Sequence, residues 1–209
     1  MRDLIIIGAG GMGRTIYDMA RENEGYNKEF NIKGFIDDNI HSLDGFKNYP
    51  PVVGTIREYQ VHENDIFVCS IGGESRRKCM ESIINRGGEF MTMIHPSSRM
   101  GTNVHMGKGC YVGANTIIAA DAFIDDYNFI QSHTIIGHDV KMGKWNRIDS
   151  FVFVVGGVEI GQGCMIHTRA MLNHEVHVGD GAHVGACSMV INNVEPGTTV
   201  FGTPARRIK

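Results

Sequence analysis

The chain has 209 residues, of which 42% are hydrophobic and 21% charged, and its formal net charge is −3. These values are typical of a soluble globular protein, and the small net charge disfavours nucleic acid as a partner because phosphate neutralisation needs a surplus of Lys and Arg. No apolar run reaches the ~18 residues that cross a bilayer, so no membrane partner is expected. The five cysteines lack CxxC spacing, which indicates reduced thiols and a cytoplasmic protein.

The start of the chain predicts a strand, a glycine-rich turn and an amphipathic helix. Gly8, Gly10 and Gly13 satisfy the GxGxxG pattern directly after the apolar run LIII, which is the context that this pattern requires. The next strand, NIKGFIDD, ends at Asp37, about where a ribose-binding acid would lie. A glycine-rich turn at a helix N-terminus suits a diphosphate. The alternative is that the glycines only permit close packing.

Three further segments, DIFVCSIG, ESRRKCMESIINRG and GEFMTMI, predict a strand, a helix and a strand. Together with the first two strands they make a parallel α/β unit of about four strands. This unit is about half as long as a full dinucleotide domain, so a nicotinamide oxidoreductase is not expected. We place the boundary at HPSS and predict a half-Rossmann-like domain over residues 1–94 and a second domain over residues 95–209.

The second domain repeats a six-residue pattern. An apolar residue recurs at every sixth position from Met106 to Val190, fifteen times in phase, and the residue two places earlier is mostly small or β-branched, with Asn128 and Asn146 as exceptions. This period fits neither an α-helix nor a hairpin, and it predicts short parallel strands that wind into a β-helix with three hexads per coil. The apolar residue would fill the core, and Gly or Asn would take the strained turn conformation.

His138 stands at a corner of this predicted β-helix. Residues 18 apart share a corner, so His138 is expected beside Gly156 (138 + 18), with His174 one coil beyond. The missing side chain at Gly156 leaves room for a ligand and offers an N–H to a developing oxyanion. The imidazole would accept a proton from an attacking amine or hydroxyl, and Asp139 would hold its other nitrogen. The alternative is a corner histidine that only faces solvent.

The repeat resembles that of the hexapeptide acyltransferases, whose fold is a left-handed parallel β-helix. The order of motifs GAGGMGR, GFIDD, HPSS, the hexads, GHD and GTPARR is similar to that of the bacterial sialic acid O-acetyltransferases and nucleotide-sugar N-acetyltransferases, over nearly the whole chain. The resemblance implies an α/β half-Rossmann-like domain that binds the nucleotide of the acceptor sugar through Gly8, Gly10, Gly13 and Asp37. An all-β left-handed parallel β-helix of hexapeptide repeats would follow and carry the acyltransferase reaction.

The resemblance also implies the reaction and its residues. Acetyl-CoA would donate its acetyl group directly to an amino or hydroxyl group of a sugar, with His138 as general base beside Asp139 and with Gly156 at the thioester carbonyl. No metal is expected. His167 would touch CoA or close the site, and Arg206 in the basic tail would meet CoA phosphates unless that tail is simply solvated.

Two positions depart from the family pattern. The family's Glu before the histidine is Gly137 here, and its second His, nine residues on, is Arg147. Arg147 would contact an acidic group of the acceptor, such as a carboxylate or diphosphate, or else be a surface residue. The resemblance further implies a homotrimer in which CoA lies between adjacent prisms, so that each site uses two subunits.

Two alternatives remain from the sequence. One is a zinc enzyme similar to γ-class carbonic anhydrases, because His133 and His138 have that family's H-x₄-H spacing, although Ser97 stands where its third ligand would lie. The other is a catalytically inactive protein that binds a nucleotide-sugar but not acetyl-CoA. The sequence leaves open the acceptor sugar, nitrogen or oxygen as the nucleophile, and the length of the donor acyl group.

Overall fold

The structure is a computed structural model that describes residues 1–73 and 75–209. The chain forms two compact units, Met1–Pro96 and Ser97–Lys209. Glu74, at the start of the predicted helical segment ESRRKCMESIINRG, lies outside the described residues.

The N-terminal unit is a parallel sheet with two helices. Its elements are β1 (Arg2–Ile7), α1 (Gly11–Glu22), β2 (Phe30–Ile36), β3 (Val52–Gly54), β4 (Asp65–Cys69), α2 (Ser75–Ile84), β5 (Glu89–Phe90) and β6 (Met93–Ile94). Strands β1 to β5 form a sheet in the order β3–β2–β1–β4–β5, and every pair is parallel. The apolar run LIII is the buried part of the central strand β1. The strand order reverses beside β1, and at such a switch point the loops after the strands form a crevice.

The C-terminal unit is a parallel β-helix of short strands. Its strands are β7 (Arg99–Met100), β8 (His105–Met106), β9 (Tyr111–Val112), β10 (Ile117–Ile118), β11 (Phe123–Ile124), β12 (Phe129–Ile130), β13 (Ile135–Ile136), β14 (Lys141–Met142), β15 (Arg147–Ile148), β16 (Phe153–Val154), β17 (Glu159–Ile160), β18 (Met165–Ile166), β19 (Met171–Leu172), β20 (His177–Val178), β21 (His183–Val184), β22 (Met189–Val190), β23 (Thr199–Gly202) and β24 (Ala205–Arg207). The last two form an antiparallel hairpin that ends the unit.

From β7 to β22, each strand pairs with the third strand along the chain, as in Ile117 with Ile135 and Ile135 with Phe153. This register gives three faces. Face 1 contains β7, β10, β13, β16, β19 and β22; face 2 contains β8, β11, β14, β17 and β20; and face 3 contains β9, β12, β15, β18 and β21, followed by β23. The predicted fold class, an α/β N-terminal unit followed by a parallel β-helix of hexapeptide repeats, is confirmed.

The repeating apolar residues form the core of the β-helix. Of the fifteen predicted core residues, fourteen are buried, and Met106 is partly exposed because β8 is the edge strand of face 2. The exceptions Asn128 and Asn146 are also buried, and their side chains bond to the backbone. The Asn146 N–H donates to Oδ1 of Asn128 at 2.9 Å, and Nδ2 of Asn128 donates to the carbonyls of Asp125 and Gly143 at 2.8 Å. Buried amides are tolerated where their polar atoms are paired in this way.

The turns correct one expectation about glycine. The left-handed conformation falls three residues after the core residue, and the prediction that Gly or Asn would fill it is wrong at positions such as Tyr127, Trp145 and Phe151, whose φ angles are 60°, 64° and 62°. Stacking with the ring one coil away offsets the conformational cost, with centroids 4.3 Å apart for Tyr127 and Trp145. The glycine directly after the core residue is needed for close approach instead: a Cβ on Gly137 would lie 2.5 Å from the Gly156 nitrogen.

Candidate active site

His138 and Asp139 form the turn between β13 and β14. Asp139 has φ 57°, a left-handed conformation that Asp adopts more readily than most residues. Nδ1 of His138 lies 2.7 Å from Oδ2 of Asp139. Because a carboxylate only accepts hydrogen bonds, this contact places a proton on Nδ1 and leaves Nε2 as a free acceptor. Both side chains are about two-thirds exposed, at 64% and 66%, so a substrate can reach them.

Gly156 lies one coil further along, in the turn between β16 and β17. A Cβ at this position would lie 2.6 Å from both Cε1 and Nε2 of His138, so any side chain would displace the imidazole. The spacing argument that placed Gly156 beside His138 is therefore confirmed. In the described part of the chain, the Gly156 N–H has no hydrogen-bond acceptor. The corner thus places the His138 imidazole, whose Nε2 is not used by Asp139, against the buried residue Gly156.

His174 occupies the same corner one coil beyond Gly156. Its Nδ1 donates to the Gly156 carbonyl oxygen at a distance of 2.5 Å, and its Nε2 lies 3.6 Å from Oε1 of Glu175. The 18-residue spacing predicts this position, but nothing in the sequence indicates the hydrogen bond. His138, Gly156 and His174 therefore form one column along the corner between face 1 and face 2, which we call the histidine corner.

Arg147 and His167 meet in a second cluster, on face 3, through the buried carboxylate of Asp149. Nε of Arg147 donates to Oδ1 of Asp149 at 2.7 Å, and Nδ1 of His167 lies 3.1 Å from Oδ2. Gln131 adds a bond from Nε2 to Oδ1 at 3.0 Å. Sequence reasoning missed Asp149, although it lies two residues after Arg147 and one coil before His167 (167 − 149 = 18). We call this group the Asp149 cluster.

The side chains of Arg147 and His167 in the Asp149 cluster are partly exposed to solvent. The Arg147 side chain is 32% exposed and the His167 side chain 39%, whereas the Asp149 side chain is only 10% exposed. The carboxylate therefore holds two donors, and the remaining guanidinium N–H groups of Arg147 are the donors suited to an anionic ligand. Arg206 lies apart from this cluster in sequence, in β24, where its Nη1 donates to the Ala205 carbonyl at 3.1 Å.

The glycine-rich turn of the N-terminal unit contains two kinds of glycine. Gly8 has φ 92°, and a Cβ on it would lie 2.6 Å from Oγ of Ser70; a Cβ on Gly13 would collide with the Gly8 carbonyl. Packing therefore accounts for these two. Gly10, the residue before α1, has φ −70° and open space around the position of a Cβ, so packing does not require glycine there. The close approach of a ligand to this backbone would require glycine.

Two charged side chains border this turn. Oδ2 of Asp37 accepts a hydrogen bond from the Ala9 N–H at 2.7 Å, and its Oδ1 accepts one from the Asn39 N–H at 2.8 Å. Arg14 lies with its guanidinium carbon 3.8 Å from the centroid of the Phe46 ring. Sequence reasoning missed Arg14, which lies one residue after Gly13 and places a positive charge on the first turns of α1.

Two of the cysteines are poor nucleophiles. Burial raises the pKa of the Cys164 thiol to about 11 and that of the Cys69 thiol to about 11. Both thiols are therefore protonated at neutral pH, and the thiolate is the nucleophilic form. An acyl-enzyme on either residue is disfavoured.

The zinc alternative finds no ligand set in the described residues, because no group of three or more His, Cys, Asp or Glu side chains among them could hold a metal ion. His133 stacks on Phe151 instead, with ring centroids 4.9 Å apart and planes 4° apart. Likewise, within residues 1–73 and 75–209, no helix has the length and apolarity needed to cross a membrane.

A three-faced β-helix with a histidine corner, attached to a small α/β unit, is the architecture of a hexapeptide-repeat transferase. Three family matches agree with this class: the PglD N-terminal domain over residues 3–83, the GMPPB C-terminal domain over residues 89–174, and the bacterial transferase hexapeptide (six repeats) over residues 157–192.

Two curated proteins are similar to this chain in sequence. A UDP-N-acetylbacillosamine N-acetyltransferase of Bacillus subtilis (strain 168) is 27% identical over 119 residues, which are 54% of this chain and 52% of that protein. The uncharacterized protein L142 of Acanthamoeba polyphaga mimivirus is 28% identical over 126 residues, 60% of this chain and 24% of that one. The matched segments thus span about half of one curated relative and a quarter of the other.

Solved structures resemble the full length of the chain. The acetyltransferase domain of PglB from Neisseria gonorrhoeae FA1090 is 26% identical, with a TM-score of 0.89 and 100% of both chains covered, and a second structure of that domain contains acetyl-CoA. PerB from Caulobacter crescentus, in complex with CoA and GDP-perosamine, is 23% identical with a TM-score of 0.88, covering 100% of this chain and 98% of that one. The chain thus combines a segment similar to the PglD N-terminal domain with bacterial transferase hexapeptide repeats, and over its full length it is similar to solved acetyltransferase structures.

Proposed function

We propose that this protein transfers the acetyl group of acetyl-CoA to the amino group of a nucleotide-linked amino sugar. The observation that carries the proposal is the histidine corner, where the His138 imidazole lies against Gly156, whose N–H has no acceptor among the described residues. The acetyl-CoA bound to the Neisseria domain and the CoA and GDP-perosamine bound to PerB support both substrates. An amine is preferred over a hydroxyl because the Bacillus relative is an N-acetyltransferase.

In this mechanism the acceptor nitrogen attacks the thioester carbonyl carbon while Nε2 of His138 accepts its proton. The carbonyl oxygen becomes an oxyanion and accepts a hydrogen bond from the Gly156 N–H. Asp139 keeps the proton on Nδ1 and stabilises the imidazolium that forms. When the C–S bond breaks, the CoA thiolate takes the proton back from His138. The transfer is direct, with no covalent intermediate on the enzyme.

Face 1 supports assembly into a homotrimer. Its outward side chains on successive coils include Ile117, Ile135 and Phe153, which are 38%, 39% and 40% exposed. Such an apolar stripe on a regular face is typical of a surface that another subunit covers. In the trimer that we propose, the CoA molecule lies in the groove between two prisms, so each active site uses residues of two subunits.

The remaining predicted residues would hold the charged ends of the substrates. Gly10 offers a backbone that a diphosphate can approach at the start of α1, with Arg14 nearby and Asp37 at the end of β2. Arg147 and His167, both held by Asp149, would bind an anionic group of a substrate. Arg206 would meet CoA phosphates, and a solvated tail is the alternative for that residue.

The proposal is tested by incubating the protein with acetyl-CoA and a panel of UDP-, GDP- and dTDP-linked 4-amino sugars, each paired with its 4-hydroxy counterpart, while CoA thiol release is recorded. We expect release with at least one amino sugar and none with its hydroxyl counterpart. Release with the hydroxyl sugars alone would show O-acetylation. Nucleotide-sugar binding without any thiol release, in protein that binds acetyl-CoA poorly, would favour the inactive binding protein.

A further inference from the structure

We propose that His174 is a positioning residue that holds the backbone of Gly156 in place for acetyl transfer. The inference rests on the proposed function and adds a residue to its site. Gly156 and Gly157 are the only adjacent glycine pair after residue 97. A backbone without Cβ atoms has more freedom than any other, so the proposed oxyanion donor lies in the intrinsically least rigid turn of the β-helix.

The backbone hydrogen bonds between coils restrain the Gly156–Gly157 turn only weakly. At this corner, the residue in the left-handed position donates its N–H to a carbonyl in the preceding coil. The Gly157 N–H lies 2.9 Å from the His138 oxygen, and the Asp139 N–H lies 3.2 Å from the Ala120 oxygen. The equivalent distance from the Glu175 N–H to the Gly156 oxygen is 3.4 Å, the longest of the three and beyond the usual range. Of these three carbonyls, that of Gly156 therefore has the weakest hydrogen bond to the backbone of the next coil.

The His174 side chain supplies the missing contact. Its Nδ1 lies 2.5 Å from the Gly156 oxygen, and its ring is close enough to Gly157 that a Cβ there would lie 3.6 Å from Cε1. The imidazole thus covers the Gly156–Gly157 peptide. The fold itself does not demand a histidine, because Ala120 occupies the equivalent corner position three coils earlier (174 − 120 = 54).

Fixing the carbonyl side of Gly156 restrains its ψ angle and with it the orientation of the adjoining peptide planes. An oxyanion donor is effective only when it is held within roughly 0.5 Å and 10–20° of the productive geometry. His174 does not need to touch the substrate for this. It would act through Gly156, as His138 acts on the acceptor from the coil on the other side.

The test compares H174A with H174N, whose side-chain amide nitrogen can take the place of Nδ1, and with H177A, an exposed histidine outside the corner, as a matched control. For each, kcat and the KM for acetyl-CoA are measured with the acceptor found in the panel. Hydrogen exchange of the Gly157 amide, whose N–H donates to the His138 carbonyl, is measured by NMR. We expect H174A to lower kcat about tenfold, less than the loss of a whole oxyanion donor, with the KM changed less than about twofold. Exchange should accelerate in H174A alone, and H174N should recover most of the rate.

Unchanged kcat and unchanged exchange in H174A would overturn the inference, and so would an effect on the KM alone. Faster exchange with an unchanged kcat would show that the hydrogen bond from His174 restrains the turn but does not contribute to catalysis. That result would also overturn the inference. If H174A fails to fold, H174N against H177A decides, because a purely structural histidine would not be replaced by Asn with full rate and protection. Failure of the wild-type protein to bind acetyl-CoA or release thiol would instead overturn the proposed function, whatever the exchange data show.

Discussion

Two of the histidine–carboxylate pairs in the β-helix, His138 with Asp139 and His167 with Asp149, differ in their surroundings. In the histidine corner, Asp139 is exposed, lies next to His138 in sequence and has no other side-chain partner among the described residues. In the Asp149 cluster, the carboxylate is buried and is shared by Arg147, Gln131 and His167. The same two chemical groups therefore serve one site that is open and one that is built into a face.

The difference shows why a hydrogen-bonded histidine is not by itself a base. His138 has an Nε2 that the Asp139 contact leaves unused and a side chain that is 64% exposed, so a nucleophile can approach it. His167 instead shares a buried carboxylate with Arg147 and Gln131, so its contact with Asp149 belongs to a network built into face 3. The four predictions that follow test this distinction, beginning with the largest expected effect.

Replacing His138 by Ala should lower kcat by a factor on the order of 10² to 10⁴, the usual range for loss of general-base assistance. Acetyl-CoA affinity should stay nearly unchanged, because the imidazole acts on the acceptor proton. The measurements are steady-state kinetics and a calorimetric titration. His133→Ala is the control: it should keep full activity, whereas a zinc site of the H-x₄-H type would lose activity in both variants.

Replacing Gly156 by Ala should lower kcat by about 10² to 10³, because it displaces the general base while the backbone N–H stays in place. The physical reason is the 2.6 Å separation between the new Cβ and Nε2 of His138, which forces the imidazole out of its position. Gly143→Ala provides the control, because its Cβ would lie 2.9 Å from the Gly161 carbonyl carbon and would therefore cause a packing clash at another corner, away from His138. Equal losses of rate in the two variants would indicate a general packing defect and would count against a specific role for Gly156.

The two carboxylates should separate rate from stability. Asp139→Asn should lower kcat about tenfold with little change in unfolding free energy, because the pair is exposed and the bond mainly selects the tautomer. Asp149→Asn should lower the unfolding free energy by about 1–3 kcal/mol, because it removes a charged acceptor from a buried network. Denaturant unfolding and kinetics on both variants provide the comparison. The opposite assignment, a stability loss for Asp139 and a rate loss for Asp149, would invert our reading of the two sites.

The smallest effect is expected at the glycine-rich turn. Gly10→Ala should leave stability nearly unchanged, since a Cβ there meets open space, but should weaken binding of UDP and GDP severalfold in calorimetric titrations. Gly13→Ala should instead destabilise the N-terminal unit by about 1–3 kcal/mol, because its Cβ collides with the Gly8 carbonyl. If Gly10→Ala bound both nucleotides as well as the wild type does, the turn would have only a packing role.

Much of the fold is predictable because the repeat is a local rule. One hexad fixes a core residue and a turn, and stacking repeats it every coil, which is why Ile136 and Val154 lie where the sequence places them. The aromatic residues in left-handed turns were not predictable. Propensity disfavours a positive φ at Phe151, and the stacking of its ring on His133, one coil away, offsets that cost.

For the candidate site, the sequence predicted which residues are neighbours, because the 18-residue interval sets those positions. The 18-residue interval places Gly156 beside His138, and it also places His174 and Asp149 opposite their partners. The interval does not determine the orientation of a side chain. The hydrogen bond from His174 to the Gly156 carbonyl and the contacts of Asp149 with both Arg147 and His167 were therefore seen only in the structure. At the N-terminal turn, GxGxxG marks three glycines alike, although packing requires Gly8 and Gly13 and does not require Gly10.

A calorimetric titration of the wild-type protein with acetyl-CoA tests the central claim most directly, because it needs no knowledge of the acceptor. The account predicts binding in the micromolar range with about one site per chain, and a His138→Ala variant that binds equally well. A folded protein that shows no heat of binding at millimolar acetyl-CoA would contradict the acetyltransferase assignment and the mechanism built on the histidine corner.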